Sequence, residues 1–141
     1  MSETYDDSNI FAKILRGEIP AEIVHEDDHV VAIMDVMPQA DGHVLVVPKA
    51  PSRNLLDAET GILGPLLDAI QKVARAVKRA FDADGITVNQ FNEAAAGQSV
   101  FHLHVHVIPR FDGVPLLPHS GDMEAPEVLK ANADKIRAAL G

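Results

Sequence analysis

A chain of 141 residues can bury one sizeable core and has little left for a second, so one domain spanning 1–141 is the expectation. Hydrophobic residues at 47% and charged ones at 23% lie outside the low-hydrophobicity, high-charge range of disordered chains. The net charge of −9, from 12 Lys and Arg against 21 Asp and Glu, repels a phosphate backbone and argues against nucleic acid as the main partner, while small phosphate ligands stay open. No apolar run approaches the ~20 residues that cross a bilayer. The acidic start MSETYDDSN is unlike a secretory signal, so no membrane association and a cytoplasmic location are expected. The absence of cysteine removes disulfides, thiol catalysis and Cys-containing zinc sites.

In chain order, Ile10, Phe11, Ile14 and Leu15 have helical spacing and run into Gly17 and Pro20, so a short helix is predicted. Residues 22–27 and 29–34 are rich in Val and Ile around Asp27-Asp28 and read as a β-hairpin. Pro38 to Gly42 is turn chemistry, and His43 to Val47, closed by Pro48, is a third strand whose apolar run implies burial on both faces. Residues 49–58, with Pro51 and Asn54, read as loop. From Ile62 to Phe81, Leu63, Leu66, Leu67, Ile70, Val73, Val77 and Phe81 recur at three and four and mark the main helix. Lys72, Arg75, Lys78 and Arg79 gather toward its C-terminal end, where they complement the dipole and need no other function.

Asp84-Gly85 is a turn, Ile86 to Phe91 a fourth strand, Asn92 to Ser99 a loop of small residues, and Val100 to Pro109 a fifth strand. After an irregular stretch, Pro126 opens an amphipathic helix carrying Leu129, Ile136 and Leu140, expected to bury its stripe on its own subunit. The fold class is α+β: a five-stranded, mainly antiparallel sheet with one long helix, a short N-terminal helix and a C-terminal helix. Residues 1–9 are expected to fray, and 111–141 to form a C-terminal extension.

The alternation in Phe101-His102-Leu103-His104-Val105-His106-Val107 sends three imidazoles to one face of a strand and the apolar residues to the other. Val or Ile would pack better on a buried strand, so the histidines point to chemistry. Two readings compete. Histidines plus a carboxylate could hold Zn²⁺ or Fe²⁺. Alternatively, a neutral imidazole attacks phosphorus while its neighbours orient it and offset anionic charge. The loop Ala94 to Ser99 offers backbone amides for an oxyanion and a serine hydroxyl.

His102-Leu-His104-Val-His106-Val-Ile resembles the His-φ-His-φ-His-φ-φ signature of the histidine triad (HIT) nucleotide-binding proteins. IFAKILRGEIPAEIVHEDD, MDVMPQADGHVLVVPK and GQSVFHLHVHVIPR resemble three blocks of that family in order, over Ile10 to about Arg110. The likeness is to the bacterial relatives of the Hint phosphoramidases. It implies a HIT-like fold and a homodimer whose sheets join. It further implies cleavage of purine nucleoside 5′-phosphoramidates or related phosphate anhydrides, with release of the nucleoside monophosphate. The alternative is a nucleotide-binding regulatory module with only incidental hydrolysis.

By the same resemblance His104 is the nucleophile, and His102 orients it, partly through its backbone carbonyl. His106 bonds the phosphate, Ser99 supports departure of the leaving group, and His43 is a fourth histidine near the triad. Asp35 takes the ribose hydroxyls, Asn92, Gly97 and Gln98 surround the phosphate, and Ile10, Phe11, Ile14 and Ile33 line a slot for the purine. Many bacterial relatives bind zinc through Cys-x-x-Cys and a later His. The matching positions are Asn9, Ala12 and Pro51, so neither that zinc nor any other cofactor is expected. His25, His29 and His119 are expected on the solvated surface.

Overall fold

A computed structural model describes residues 5–118 and 122–141; the expectation for His119 lies outside them. Five strands, β1 (Ile23–Glu26), β2 (Val30–Met34), β3 (Val44–Pro48), β4 (Gly85–Asn89) and β5 (Val105–Arg110), form one sheet in the order β1-β2-β3-β5-β4. Every neighbouring pair is antiparallel. Three helices accompany it: α1 (Ile10–Leu15), α2 (Leu63–Ala80) and α3 (Pro126–Leu140). The expected α+β architecture is therefore the observed one.

Period-two alternation divides the central strands between two cores. Val30, Ala32, Met34, Val44, Val46, Val105 and Val107 pack on the face covered by α2. Val31, Ile33, Leu45 and Val47 point the other way, toward Phe11 of α1. A one-residue slip of β5 would exchange its valines for its histidines, so burial of the two faces fixes the register.

The fifth strand begins later than expected, at Val105 rather than Val100. Its pairing with β3 runs from Val44↔Val107 to Val46↔Val105, and β3 then ends at Pro48, which has no N–H to extend a ladder. Residues 102–104 are held by other bonds: the Leu103 amide donates to the Ser52 carbonyl at 2.9 Å. Leu103 still faces α2, so the alternation of side chains outlasts the ladder. The fourth strand likewise stops at Asn89, opposite His106, two residues short of Phe91.

On α2 the buried stripe is Leu66, Ala69, Ile70, Val73, Ala76 and Val77. Leu67, expected in that stripe, is 63% exposed. The two alanines belong there instead, and a pattern read from large apolar residues passes over them. Lys72, Arg75, Lys78 and Arg79 are exposed as expected. α3 packs on α2 and β1 through Leu129, Ala133 and Ile136. Its Arg137 donates to the Ile23 carbonyl through Nε (3.0 Å) and Nη2 (2.7 Å), covering the β1 edge. The stretch read as loop over 49–58 contains a 3₁₀ turn, Leu55–Asp57, closed by a capping box between Asn54 and Asp57. No helix among the described residues is long and apolar enough to cross a membrane.

Candidate active site

β5 and the extended residues just before it carry the histidines on the side turned away from α2, all buried: His102 1%, His104 8% and His106 4% exposed. Beside them opens a cleft of 400 Å³ whose walls include Ile10, Phe11 and Ile14 of α1, Ile33 of β2, then Asp35, Ser99, His104 and His106. All four residues proposed for the purine slot, the ribose carboxylate, the serine and two of the triad thus meet at one cavity. His102 and His43 stand behind it, fully buried.

Hydrogen bonds fix the state of each ring. Nδ1 of His104 lies 2.7 Å from the His102 carbonyl, and a carbonyl only accepts, so Nδ1 carries the proton and the neutral ring keeps its lone pair on Nε2. His43 accepts the Gln39 amide at Nδ1, 3.0 Å. Its Nε2 therefore bears hydrogen and donates to Nδ1 of His106 at 2.9 Å, with Asp35 Oδ2 at 3.4 Å. The neutral His106 ring then carries its proton on Nε2, a donor suited to a phosphate oxygen. The Phe11 ring meets His104 edge-on, centroids 4.7 Å apart, and so ties the apolar wall of the cleft to the same imidazole.

Asp35, His43 and His106 bring ligating atoms within 4.8 Å of one another, close enough to hold a metal ion. The same atoms are accounted for by the hydrogen-bonded chain, and Asp35 Oδ1 also accepts the Met37 amide at 2.9 Å. The positions matching the relatives' structural zinc do not fit a metal. Asn9 directs its Oδ1 to the Ala12 amide as the N-cap of α1, and neither Ala12 nor Pro51 offers a side-chain ligand.

The loop between β4 and β5 departs from expectation. The amides of Ala96, Gly97 and Gln98 donate to carbonyls of Glu93 and Ala94 within a 3₁₀ turn, so they form no cradle for an oxyanion. Gly97 closes that turn with φ +103°, a left-handed conformation that suits glycine. The Gln98 side chain is engaged on all sides: it donates to the Arg53 and Val100 carbonyls and accepts from the Glu93 amide and Asn54. Asn92 accepts the Leu55 amide and pairs with Gln90. The two side chains, expected around the phosphate, instead brace the loop that presents Ser99. Arg53 grips Glu93 through two bonds of 2.8 and 2.9 Å and holds that carboxyl below the ordinary carboxylate range.

Two further residues escaped the sequence reading. Met123, 71% exposed, closes one side of the cleft. Its segment is pinned to the Asp35 loop by Leu117 N–H on the Gln39 carbonyl and Glu124 N–H on the Val36 carbonyl, 2.9 and 2.8 Å. A lone methionine in an irregular stretch carries no signal of this. Tyr5 lies in the segment expected to fray, yet its hydroxyl is 2.6 Å from Nδ1 of His102, and Arg16 Nη1 bonds the Asp7 carbonyl nearby. Of the surface histidines, His29 is exposed, whereas His25 is half-buried beside Asp27 at 3.1 Å.

Burial pushes the His102 imidazole below its ordinary value of 6.5, with donation to the Pro48 carbonyl opposing and the nearby His104 reinforcing the shift. The unfolded chain therefore binds more protons than the folded one once pH drops under that value. The stabilisation is complete above it and is lost as pH falls toward the lowered folded pKa. Thermal unfolding between about pH 7.5 and about pH 5 should show Tm falling with acidification, and falling less steeply in His102→Gln. Equal slopes in the two proteins would contradict this account.

The sequence pattern of the HIT domain matches residues 16–113. A Hit-like protein of Bartonella henselae, known from its crystal structure, is 59% identical and superposes with a TM-score of 0.91 over 96% of this chain and 99% of its own. The protein hit of Bacillus subtilis is 40% identical over 102 residues, 72% of this chain and 70% of that protein. The adenylylsulfatase HINT3 of Arabidopsis thaliana is 34% identical over 109 residues, 77% of this chain and 55% of that protein.

Proposed function

The chain belongs to the HIT family of nucleotide-binding, hydrolase-like proteins, and we propose that it cleaves purine nucleoside 5′-phosphoramidates or related mixed phosphate anhydrides through a nucleotidyl-His104 intermediate. The observation that carries this reading is the 2.7 Å bond from His104 Nδ1 to the His102 carbonyl, which leaves the Nε2 lone pair for phosphorus.

The purine enters the apolar slot of Ile10, Phe11, Ile14 and Ile33, and Asp35 receives the ribose hydroxyls. His106 donates from Nε2 to a non-bridging oxygen. Nε2 of His104 forms a bond to the α-phosphorus while the bond to the leaving group breaks, and the leaving group departs with that electron pair and takes up a proton from solvent beside the Ser99 hydroxyl. The His104 ring is then cationic, and the carbonyl on its Nδ1–H stabilises it. Water attacks the phosphorus and gives up a proton to solvent as the bond to Nε2 breaks with its electron pair returning to nitrogen, so His104 regains its neutral Nδ1–H form and the nucleoside monophosphate leaves. One relative, HINT3, is itself an adenylylsulfatase.

The assay is release of AMP from adenosine 5′-phosphoramidate with excess chelator present. Turnover is expected. Saturable AMP binding without turnover of any phosphoramidate would favour a regulatory binding module instead, and turnover abolished by the chelator would contradict the metal-free mechanism.

The same reading includes a homodimer. β4 is an edge strand with Val88 49% exposed, and exposed Leu55 is held beside its end by the bond from its amide to Asn92. The opposite edge is covered by Arg137, so β4 is the edge that can pair with a second copy. Sedimentation at assay concentration reads the state directly, and a monomer mass would overturn it.

A further inference from the structure

We infer that Tyr5 is a positioning residue of this reaction: its hydroxyl donates to Nδ1 of His102, anchors that ring opposite the Pro48 carbonyl, and so holds the backbone carbonyl that orients His104. The inference rests on the reading of His104 as the nucleophile.

His102 has a partner at each ring nitrogen. Nε2 is 2.8 Å from the Pro48 carbonyl, which only accepts, so Nε2 carries hydrogen. Nδ1 of the neutral ring then has a lone pair, and the hydroxyl 2.6 Å away must be its donor. A phenol has one proton to give, and its direction here is set. Asn9 Nδ2 donates to the Tyr5 oxygen at 3.1 Å, taking an acceptor position and leaving the proton for His102. Asn9 is itself fixed, since its Oδ1 caps α1 at Ala12. Burial favours the neutral imidazole that this arrangement requires. The chain of bonds thus runs from the helix carrying the base slot, through Asn9 and Tyr5, to the residue whose carbonyl receives His104.

Removing the hydroxyl leaves a buried lone pair without a donor. The His102 ring keeps its proton toward the Pro48 carbonyl but loses its second anchor, and the 102–104 backbone, which has no sheet ladder and is otherwise tied at the Leu103 amide to the Ser52 carbonyl, is less firmly placed. A shift of the His102 carbonyl frees His104 to move its own proton to Nε2, where the lone pair must be. The nucleoside contacts in the cleft stay intact, so the effect falls on kcat and spares binding.

The test is Tyr5→Phe, which keeps the ring that packs edge-on against His102 at 5.6 Å. Expected are a kcat lowered about five- to tenfold, the loss of one hydrogen bond, and an unchanged KM and AMP affinity. In nitrogen NMR the His102 Nδ1 resonance should move to that of an unprotonated nitrogen without a hydrogen-bond donor. Asn9→Ser, which retains a capping oxygen but no amide donor, should lower kcat by less and shift the same resonance by less. Unchanged kcat with an unchanged His102 spectrum would overturn the inference. So would a kcat loss accounted for by lost folded protein while the His102 nitrogens stay as in wild type. Wild type without turnover would overturn the functional reading instead, and the His102 resonances still decide whether Tyr5 sets that ring.

Discussion

His104→Ala should lower turnover by about 10⁴-fold or more, the scale seen when a covalent nucleophile is removed, while AMP affinity changes by no more than a few fold. The asymmetry follows from what the ring touches. His104 contributes one wall of a cleft whose other walls include apolar side chains of α1 and β2, Asp35, Ser99 and His106, so a bound nucleoside keeps its contacts. What disappears is the one imidazole whose Nε2 lone pair is fixed toward the cleft by a carbonyl on its other nitrogen. Steady-state kinetics beside AMP titration separates the two effects. A variant that retains most turnover would remove His104 from the chemistry, and one that binds no AMP would make the ring a binding residue.

Gly42→Ala should destabilise the fold by about 2–5 kcal/mol, combining left-handed strain with overpacking, and lower Tm by roughly 10 °C. Gly42 has φ +96°, and a Cβ there would stand 2.5 Å from Cε2 and 2.7 Å from Cδ2 of Phe81. That ring has little room to retreat: it follows the last turn of α2, packs against the main core, and lies under the Lys135 ammonium. The next residue is His43, so the strain also reaches the 2.9 Å bond that sets His106. Thermal unfolding measures the effect, and a Tm within about 2 °C of wild type would contradict it. Adding Phe81→Leu should recover part of the loss by removing the ring edge, and the φ penalty should remain.

The regular parts of the molecule were legible because their signals are local. Alternation in Leu103 to Val107 placed the histidines opposite the core, and the apolar run of β3 anticipated burial on both faces. The strand limits were less legible, because where β5 starts depends on where β3 runs out of donors, at a proline in another part of the chain. The site residues read from resemblance converge where side chains point into the cleft, as at Asp35, Ser99, His104 and His106. They diverge at Asn92 and Gln98, whose long-range partners Leu55, Arg53 and Asn54 no spacing rule reveals. Tyr5 and Met123 were passed over for the same reason. Each acts across the fold from a segment with no periodicity, and neither position falls within residues 16–113, where the family pattern lies.

The proposed mechanism turns on a covalent bond between Nε2 of His104 and the nucleotide phosphorus. The direct measurement is to mix the protein with adenosine 5′-phosphoramidate, quench in alkaline denaturant within the first turnover, and locate adenylate on the digested protein by mass spectrometry. The account predicts an AMP-sized addition on the peptide bearing His104, assigned to that ring and absent from His104→Ala. Turnover at the normal rate with no protein-bound nucleotide, or with the label on another residue, would contradict it.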